Sequence, residues 1–153
     1  MADKPKILIE NRRARFEYHF VDTYTAGVML TGTEIKSIRA GNVNLSDAYC
    51  VFRDGELFLR SMFIAEYKHG NQFNHEERRE RKLLLKRFEL RRLEKKVKEK
   101  GLTIVPFQLY LNERGFAKVD IALAQGKKVY DKRESIKSRE NKRALDRAMK
   151  ERF

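Results

Sequence analysis

Three histidines, one cysteine and one Gly-Lys-Lys turn are the groups in this 153-residue chain to test first for covalent, phosphate or metal chemistry, and none stands in a pattern that such chemistry needs. His19, His69 and His75 have no spacing that sets two of them with a cysteine or carboxylate as ligands. His69 and His75 share a polar loop, where solvated rings are expected. Cys50 lies in a strand-like run with Val51 and Phe52, and reads as a small core residue with no base to activate it. Gly126-Lys127-Lys128 lacks the earlier glycine and the following serine or threonine of a phosphate-cradling loop. No pair of carboxylates stands apart from ordinary surface acids. The residues predict a binding protein, with no catalytic residue, no metal and no cofactor.

A different chemistry is well supplied. Asn11-Arg12-Arg13-Ala14-Arg15, Tyr18, Tyr24 and Lys36-Ser37-Ile38-Arg39 combine cations that neutralise phosphates with rings that stack on unpaired bases. The competing reading makes Tyr18 and Tyr24 half-buried strand aromatics. Charge adds to the case. Lys and Arg outnumber Asp and Glu by 35 to 22, a net +13. Residues 78–100 hold 12 basic and 4 acidic side chains and residues 126–153 hold 11 and 5, so the remainder of the chain nets −1. A near-neutral body with two basic segments is the footprint of a protein that meets polyanions at defined places, the alternative being helix faces that are merely solvated.

The elements that must position these groups can be read from periodicity. Residues 15–24 alternate Phe16, Tyr18 and Phe20 against Glu17, His19 and Val21, which predicts a half-buried strand, with a second strand over 27–30. Residues 33–41 predict a short helix with Thr33 as N-cap and Gly41 as terminator. Asp54-Gly55 predicts a hairpin between strands over 48–53 and 56–64. A second hairpin is expected over 102–111 and 116–124, with Val119, Ile121 and Leu123 inward and Lys118 and Asp120 outward. Leu90, Leu93 and Val97 mark one stripe of a helix that Gly101 ends. Short strands without strand-helix alternation indicate a mainly β protein, a small antiparallel barrel of the OB type with two or three embedded helices. Residues 1–125 are assigned to this barrel and 126–153 to a basic tail. The tail buries too little to fold alone, yet Leu145, Met149 and Phe153 would align on one side of a helix formed on a partner. The chain length suits one domain. The absence of a bilayer-length apolar run or a secretion signal, with a lone cysteine, leads to the expectation of a reduced, cytoplasmic compartment.

Several motifs, in order along the chain, resemble the SmpB family, the SsrA-binding proteins. They are Asn11 to Arg15; Tyr24-Thr25-Ala26-Gly27; Gly32 to Gly41; Asp54-Gly55-Glu56; Arg81-Lys82-Leu83-Leu84-Leu85; Asn112-Glu113-Arg114-Gly115; and Gly126-Lys127-Lys128 with Asp131-Lys132-Arg133. The resemblance covers residues 7 to about 135. It implies an OB-like barrel that binds the transfer-RNA-like part of transfer-messenger RNA and acts in trans-translation, the rescue of stalled bacterial ribosomes. It further implies that the protein stands where an anticodon arm would be, that its tail enters the vacant message channel, and that it performs no catalysis. Two positions depart from the family pattern: Thr25 replaces a common acidic residue, and Lys86 follows the leucines where some members have Asn.

The expected RNA-binding surface comprises Asn11, Arg13, Arg15, Tyr18, Tyr24, Gly27, Lys36, Ser37 and Arg39, with Lys82 and Leu84. The expected ribosome-binding tail comprises Gly126, Lys127, Lys128, Tyr130, Asp131, Lys132, Arg133, Leu145 and Met149. The expected partners are transfer-messenger RNA and the small-subunit decoding site and message channel, with no membrane, for a monomeric chain. Without the resemblance, the rivals are a ribosome-associated or single-strand-binding OB module with no dedicated RNA partner, and an RNA-processing enzyme. Neither accounts for a separate basic tail.

Overall fold

The computed structural model describes residues 7–67, 74–99 and 101–127, and these build a closed antiparallel barrel with three helices. Strand β1 (Ile7–Glu10) leads into helix α1 (Arg12–Glu17), then the long strand β2 (Tyr18–Val28) and helix α2 (Gly32–Arg39). Next come β3 (Val43–Asn44), the hairpin β4 (Tyr49–Arg53) and β5 (Glu56–Arg60), the short β6 (Phe63–Ile64), and β7 (Arg81–Leu84). Helix α3 (Arg87–Val97) precedes the final hairpin, β8 (Leu102–Leu111) and β9 (Ala117–Gly126). The ring runs β8-β4-β5-β7-β2-β9, and β9 pairs again with β8 to close it; β1 lies outside on β8. Closure leaves few free strand edges, which is how small β proteins avoid edge-to-edge association. The mainly β, OB-like architecture read from the sequence is the one observed.

The barrel interior is filled by Leu57, Leu59, Met62, Leu83, Leu93, Ile104, Leu109, Val119, Ile121 and Leu123, all buried. Residues 119, 121 and 123 alternate inward as expected. Their neighbours Ala122 and Ala124 are buried too, on the opposite face of β9, in a second cluster with Ala14, Val105 and Phe107 that Tyr18 and Phe20 flank. Small side chains there let α1 approach the sheet, so this strand is covered on both faces, which a period of two does not reveal. Cys50 is buried, and desolvation pushes its thiol far above the usual range, leaving it an inert core residue.

Several expected boundaries move. Residues 15–17 belong to α1 rather than to a strand, because Asn11 caps a helix there, and Phe16 is 80% exposed. No turn separates a second strand over 27–30: β2 continues to Val28, absorbing a register shift between Phe20 and Asp22. Helix α2 starts at Gly32 with Thr31, not Thr33, as its N-cap; Thr31 Oγ accepts from Glu34 N and Thr31 N donates to Glu34 Oε1 at 2.9 Å. The expected strand over 56–64 breaks at Ser61, whose φ is 62°, and Phe63–Ile64 pairs instead with Val43–Asn44. Strand β9 extends through Gly126, so that residue belongs to the barrel and not to the tail.

Candidate nucleic-acid interface

Asn11 sets the geometry of the first cluster. Its Oδ1 accepts from Ala14 N at 3.1 Å, capping α1, while its Nδ2 donates to the carbonyls of Leu45 (3.0 Å) and Pro106 (2.9 Å). With 3% exposure and both amide hydrogens engaged, Asn11 positions the start of α1. What it positions is α1, with Arg12, Arg13, Arg15 and Phe16 exposed. Arg13 is held by Glu17 (3.0 Å) and Asp47 (3.2 Å), Glu17 raising its pKa further by hydrogen bond and charge, and Arg15 lies 5.1 Å from the Phe107 ring centre. Tyr18, half-buried, pairs with Gly126, and Lys127 Nζ stands 5.9 Å from the centre of the Phe16 ring. The base of the tail therefore emerges beside the arginines of α1. Asn11→Ala removes the cap and the side-chain donor to Pro106 O and Leu45 O, the latter keeping its bond from Ala48 N, so we expect a loss of about 1–3 kcal/mol in urea unfolding. Arg13→Ala, at an exposed site, should leave the unfolding midpoint unchanged.

A second cluster forms at the other end of β2, nine residues and about 30 Å of strand away. Gly27 sits between Leu84 of β7 and Lys118 of β9, and a Cβ placed on it would lie 3.4 Å from that of Leu84. Leu84 is 51% exposed and Lys82, ion-paired with Glu56 at 2.8 Å, flanks it. The bare backbone of Gly27 beside an exposed leucine makes a flat area that a nucleic-acid surface can approach closely. Helix α2 is pinned nearby by Glu34, whose carboxylate takes Arg79 Nη2 at 2.7 Å on one oxygen and the buried Arg81 on the other. Burial alone would push the Glu34 carboxyl up, but hydrogen bonds from Arg79 and Thr31 N and the charge of Arg81 hold it below the usual carboxylate range. So fixed, α2 presents Lys36 and Arg39 outward, Lys36 Nζ 5.4 Å from the Tyr67 ring centre. Ser37 faces inward at 1% exposure, its hydroxyl donating to Ala65 O at 2.6 Å, so it too supports the helix.

Between the clusters lies a cleft lined by Tyr24, Thr25, Lys86, Gln108 and Asp120. The Tyr24 hydroxyl donates to Asp22 Oδ2 at 2.9 Å, and the pKa of that tyrosine is raised by burial and by this carboxylate. Thr25 Oγ1 donates to Asp120 Oδ1 at 2.7 Å, directly across the strand pair, and Gln108 Nε2 donates to the other oxygen. The negative charge at this point thus comes from Asp120 of β9. No sequence signal linked residues 25 and 120. His75, expected to be solvated, is 7% exposed, with Nδ1 2.9 Å from the Thr33 hydroxyl and Nε2 2.9 Å from Ile64 O. His69, Lys128, Tyr130, Asp131, Lys132, Arg133, Leu145, Met149 and Phe153 lie outside the described residues. Among the described residues no group of His, Cys, Asp and Glu is arranged to hold a metal, and no helix is long and apolar enough to cross a membrane.

Comparison with known proteins places this geometry. The family model described as "SmpB protein" matches residues 8–151. A protein of Christiangramia forsetii named SsrA-binding protein is 56% identical over 148 residues, 97% of this chain and 94% of its own length. Proteins of the same name from Phocaeicola vulgatus (58% identical; 94% of this chain, 96% of the relative) and Moorella thermoacetica (51%; 99% and 98%) are similar along the whole length. A solved structure described as "tmRNA-SmpB: a journey to the center of the bacterial ribosome" superposes with a TM-score of 0.67 at 53% identity, covering 78% of this chain and 83% of its own.

Proposed function

Because the chain belongs to the SmpB family, we propose that it is the RNA-binding adaptor of trans-translation: it holds the transfer-RNA-like part of transfer-messenger RNA and delivers it to stalled ribosomes. The observation that carries this reading is the two-ended barrel. One end offers Gly27, Leu84, Lys82 and the outward face of α2, with Tyr24 alongside, a shallow surface of backbone, one apolar side chain and cations. Such a surface suits a folded RNA recognised by shape and phosphate contact rather than by reading base edges. The other end carries Arg13, Arg15 and Tyr18 beside the origin of the tail.

In this mechanism the barrel occupies the place of an anticodon arm. The RNA docks on the Gly27 end, and Lys36, Arg39 and Lys82 exchange solvent and intramolecular partners for phosphates. At the opposite end, residues 127–133 reach the decoding site with Lys127, Lys128, Lys132 and Arg133 as charge contacts and Tyr130 as a stacking ring. Residues 134–153 continue into the empty message channel, where Leu145 and Met149 align as a helix forms. The chain works in the cytoplasm, as a monomer, and no step requires a catalytic group.

Titration of labelled RNA tests the reading. The folded transfer-RNA-like RNA should outcompete unstructured RNA of equal length. If four to six phosphates are neutralised, log K should fall with log salt at a slope of about −3 to −5. Equal affinity for both RNAs would return the chain to a general single-strand binder.

A further inference from the structure

We infer that the exposed basic stripe of α3, formed by Arg87, Arg91, Lys95 and Lys98, is a second phosphate-binding surface for the same folded RNA, extending the contact beyond the Gly27 end of the barrel. The inference rests on the adaptor reading for the identity of the RNA, and on the helix itself for the site.

These four residues are spaced four, four and three apart, which on a helix turning about 100° per residue keeps them within an arc of about 80°. All four are exposed, and none makes an ion pair with another described residue; the one α3 ion pair among those residues is Lys96 with Asp22 at 3.5 Å. Successive members rise by about 4.5–6 Å along the axis, so each long side chain can reach a separate phosphate of one strand. The apolar face of α3 is already occupied. Leu93 is fully buried, and Leu90 and Val97 pack against the barrel core, so what the helix leaves open is charge and one ring, Phe88, 59% exposed. A membrane surface would need a wide apolar face beside the cations to enter the headgroup layer, and Phe88 is the one exposed apolar side chain of this helix. A polyanion with a solvated backbone is the complementary partner.

Continuity with the proposed interface selects which polyanion. Only Leu85 and Lys86 separate β7, with Lys82 and Leu84, from the first residue of the helix. Arg87 and Arg91 line one cleft with Asp54, Glu56 and Glu94, and Glu56 is the ion-pair partner of Lys82. The stripe therefore begins where the Lys82–Leu84 surface ends, and an RNA stem lying on that surface can run along α3.

The test is the full chain carrying Arg91→Gln, Lys95→Gln and Lys98→Gln together, titrated with the transfer-RNA-like RNA at several salt concentrations. An unchanged thermal midpoint is expected, since all three sites are exposed. The salt slope should shrink by about two to three, with affinity at low salt falling tenfold or more and the two proteins converging as salt rises. A variant that binds this RNA with the parent's affinity and slope overturns the inference while leaving the adaptor reading in place. So does one that keeps the RNA but loses the small ribosomal subunit or anionic phosphatidylserine vesicles, because the stripe would then serve that partner. If the parent itself fails to bind the RNA, the adaptor reading fails and the assignment of the stripe fails with it.

Discussion

Deletion of residues 131–153 should leave a chain that folds and still holds the RNA, yet rescues no stalled ribosomes. The first half of that expectation follows from closure. The ring is completed by β9 pairing with both β8 and β2, and β9 ends at Gly126, so nothing removed belongs to the described core. The Gly27 surface, proposed to hold the RNA, lies at the far end of β2 from the cut. The second half follows from what the removed segment contains: nine basic and five acidic side chains, with Leu145, Met149 and Phe153 four apart. In the proposed mechanism these Lys and Arg exchange water for ribosomal phosphates, and a complex delivered without them would have no hold on the empty channel. Thermal unfolding, RNA titration and a reconstituted rescue assay should therefore separate, the first two near parental and the third abolished. Loss of RNA binding by the truncated chain, or normal rescue by it, would refute the division of labour.

Glu34→Ala should be among the most destabilising substitutions in the barrel, costing about 3–5 kcal/mol in urea unfolding. Glu34 and Arg81 are both fully buried. Arg81 also donates to Met62 O at 2.6 Å and Glu77 O at 3.2 Å, so it stays fixed and charged while its counter-ion is lost. Burial draws the Arg81 pKa below its usual value, against the pull of Glu34, but guanidinium still keeps its proton under folding conditions. Replacing both members together, Glu34→Gln with Arg81→Met, should cost much less than the single change, since no buried charge is left unpaired and Arg79, 37% exposed, can turn to solvent. The pair also gives stability a pH dependence. Glu34 titrates lower when folded than when unfolded, so its contribution is complete above the unfolded value of about 4.3 and is lost as the pH falls through the lower folded value. The parent should lose stability across that acid window more steeply than the double variant. Equal slopes would remove the ion pair from the account of acid sensitivity. Because Glu34 is also the third residue of the α2 capping box, the single variant should loosen α2 and weaken RNA binding.

Local patterns reached far in this chain. Asp54-Gly55 and Asn112 to Gly115 are turn chemistries that need only their own backbone, and both hairpins stand where they were expected. The inward alternation of Val119, Ile121 and Leu123, the apolar stripe of α3 and the burial of Cys50 were legible for the same reason: each follows from a period of two or of 3.6. The uneven placement of charge and the ordered motifs pointed to RNA and to a family.

What the sequence by itself determined was thus the class of fold and the kind of partner. Tertiary structure alone decided which of the named residues can act together. Asn11 and Ser37 look like polar surface residues in the sequence, but their hydrogen bonds go to Leu45, Pro106 and Ala65, 28 to 95 positions away, and these contacts draw them inside. Residues 15–17 continue an alternating pattern, yet the cap supplied by Asn11 winds them into α1 and turns Phe16 to solvent. Thr25 acquires a carboxylate partner, Asp120, only because β2 and β9 pair in that register. The residues expected on the RNA-binding surface lie toward both ends of β2, and an extended strand holds its ends about 30 Å apart, a distance that residue spacing in sequence does not carry.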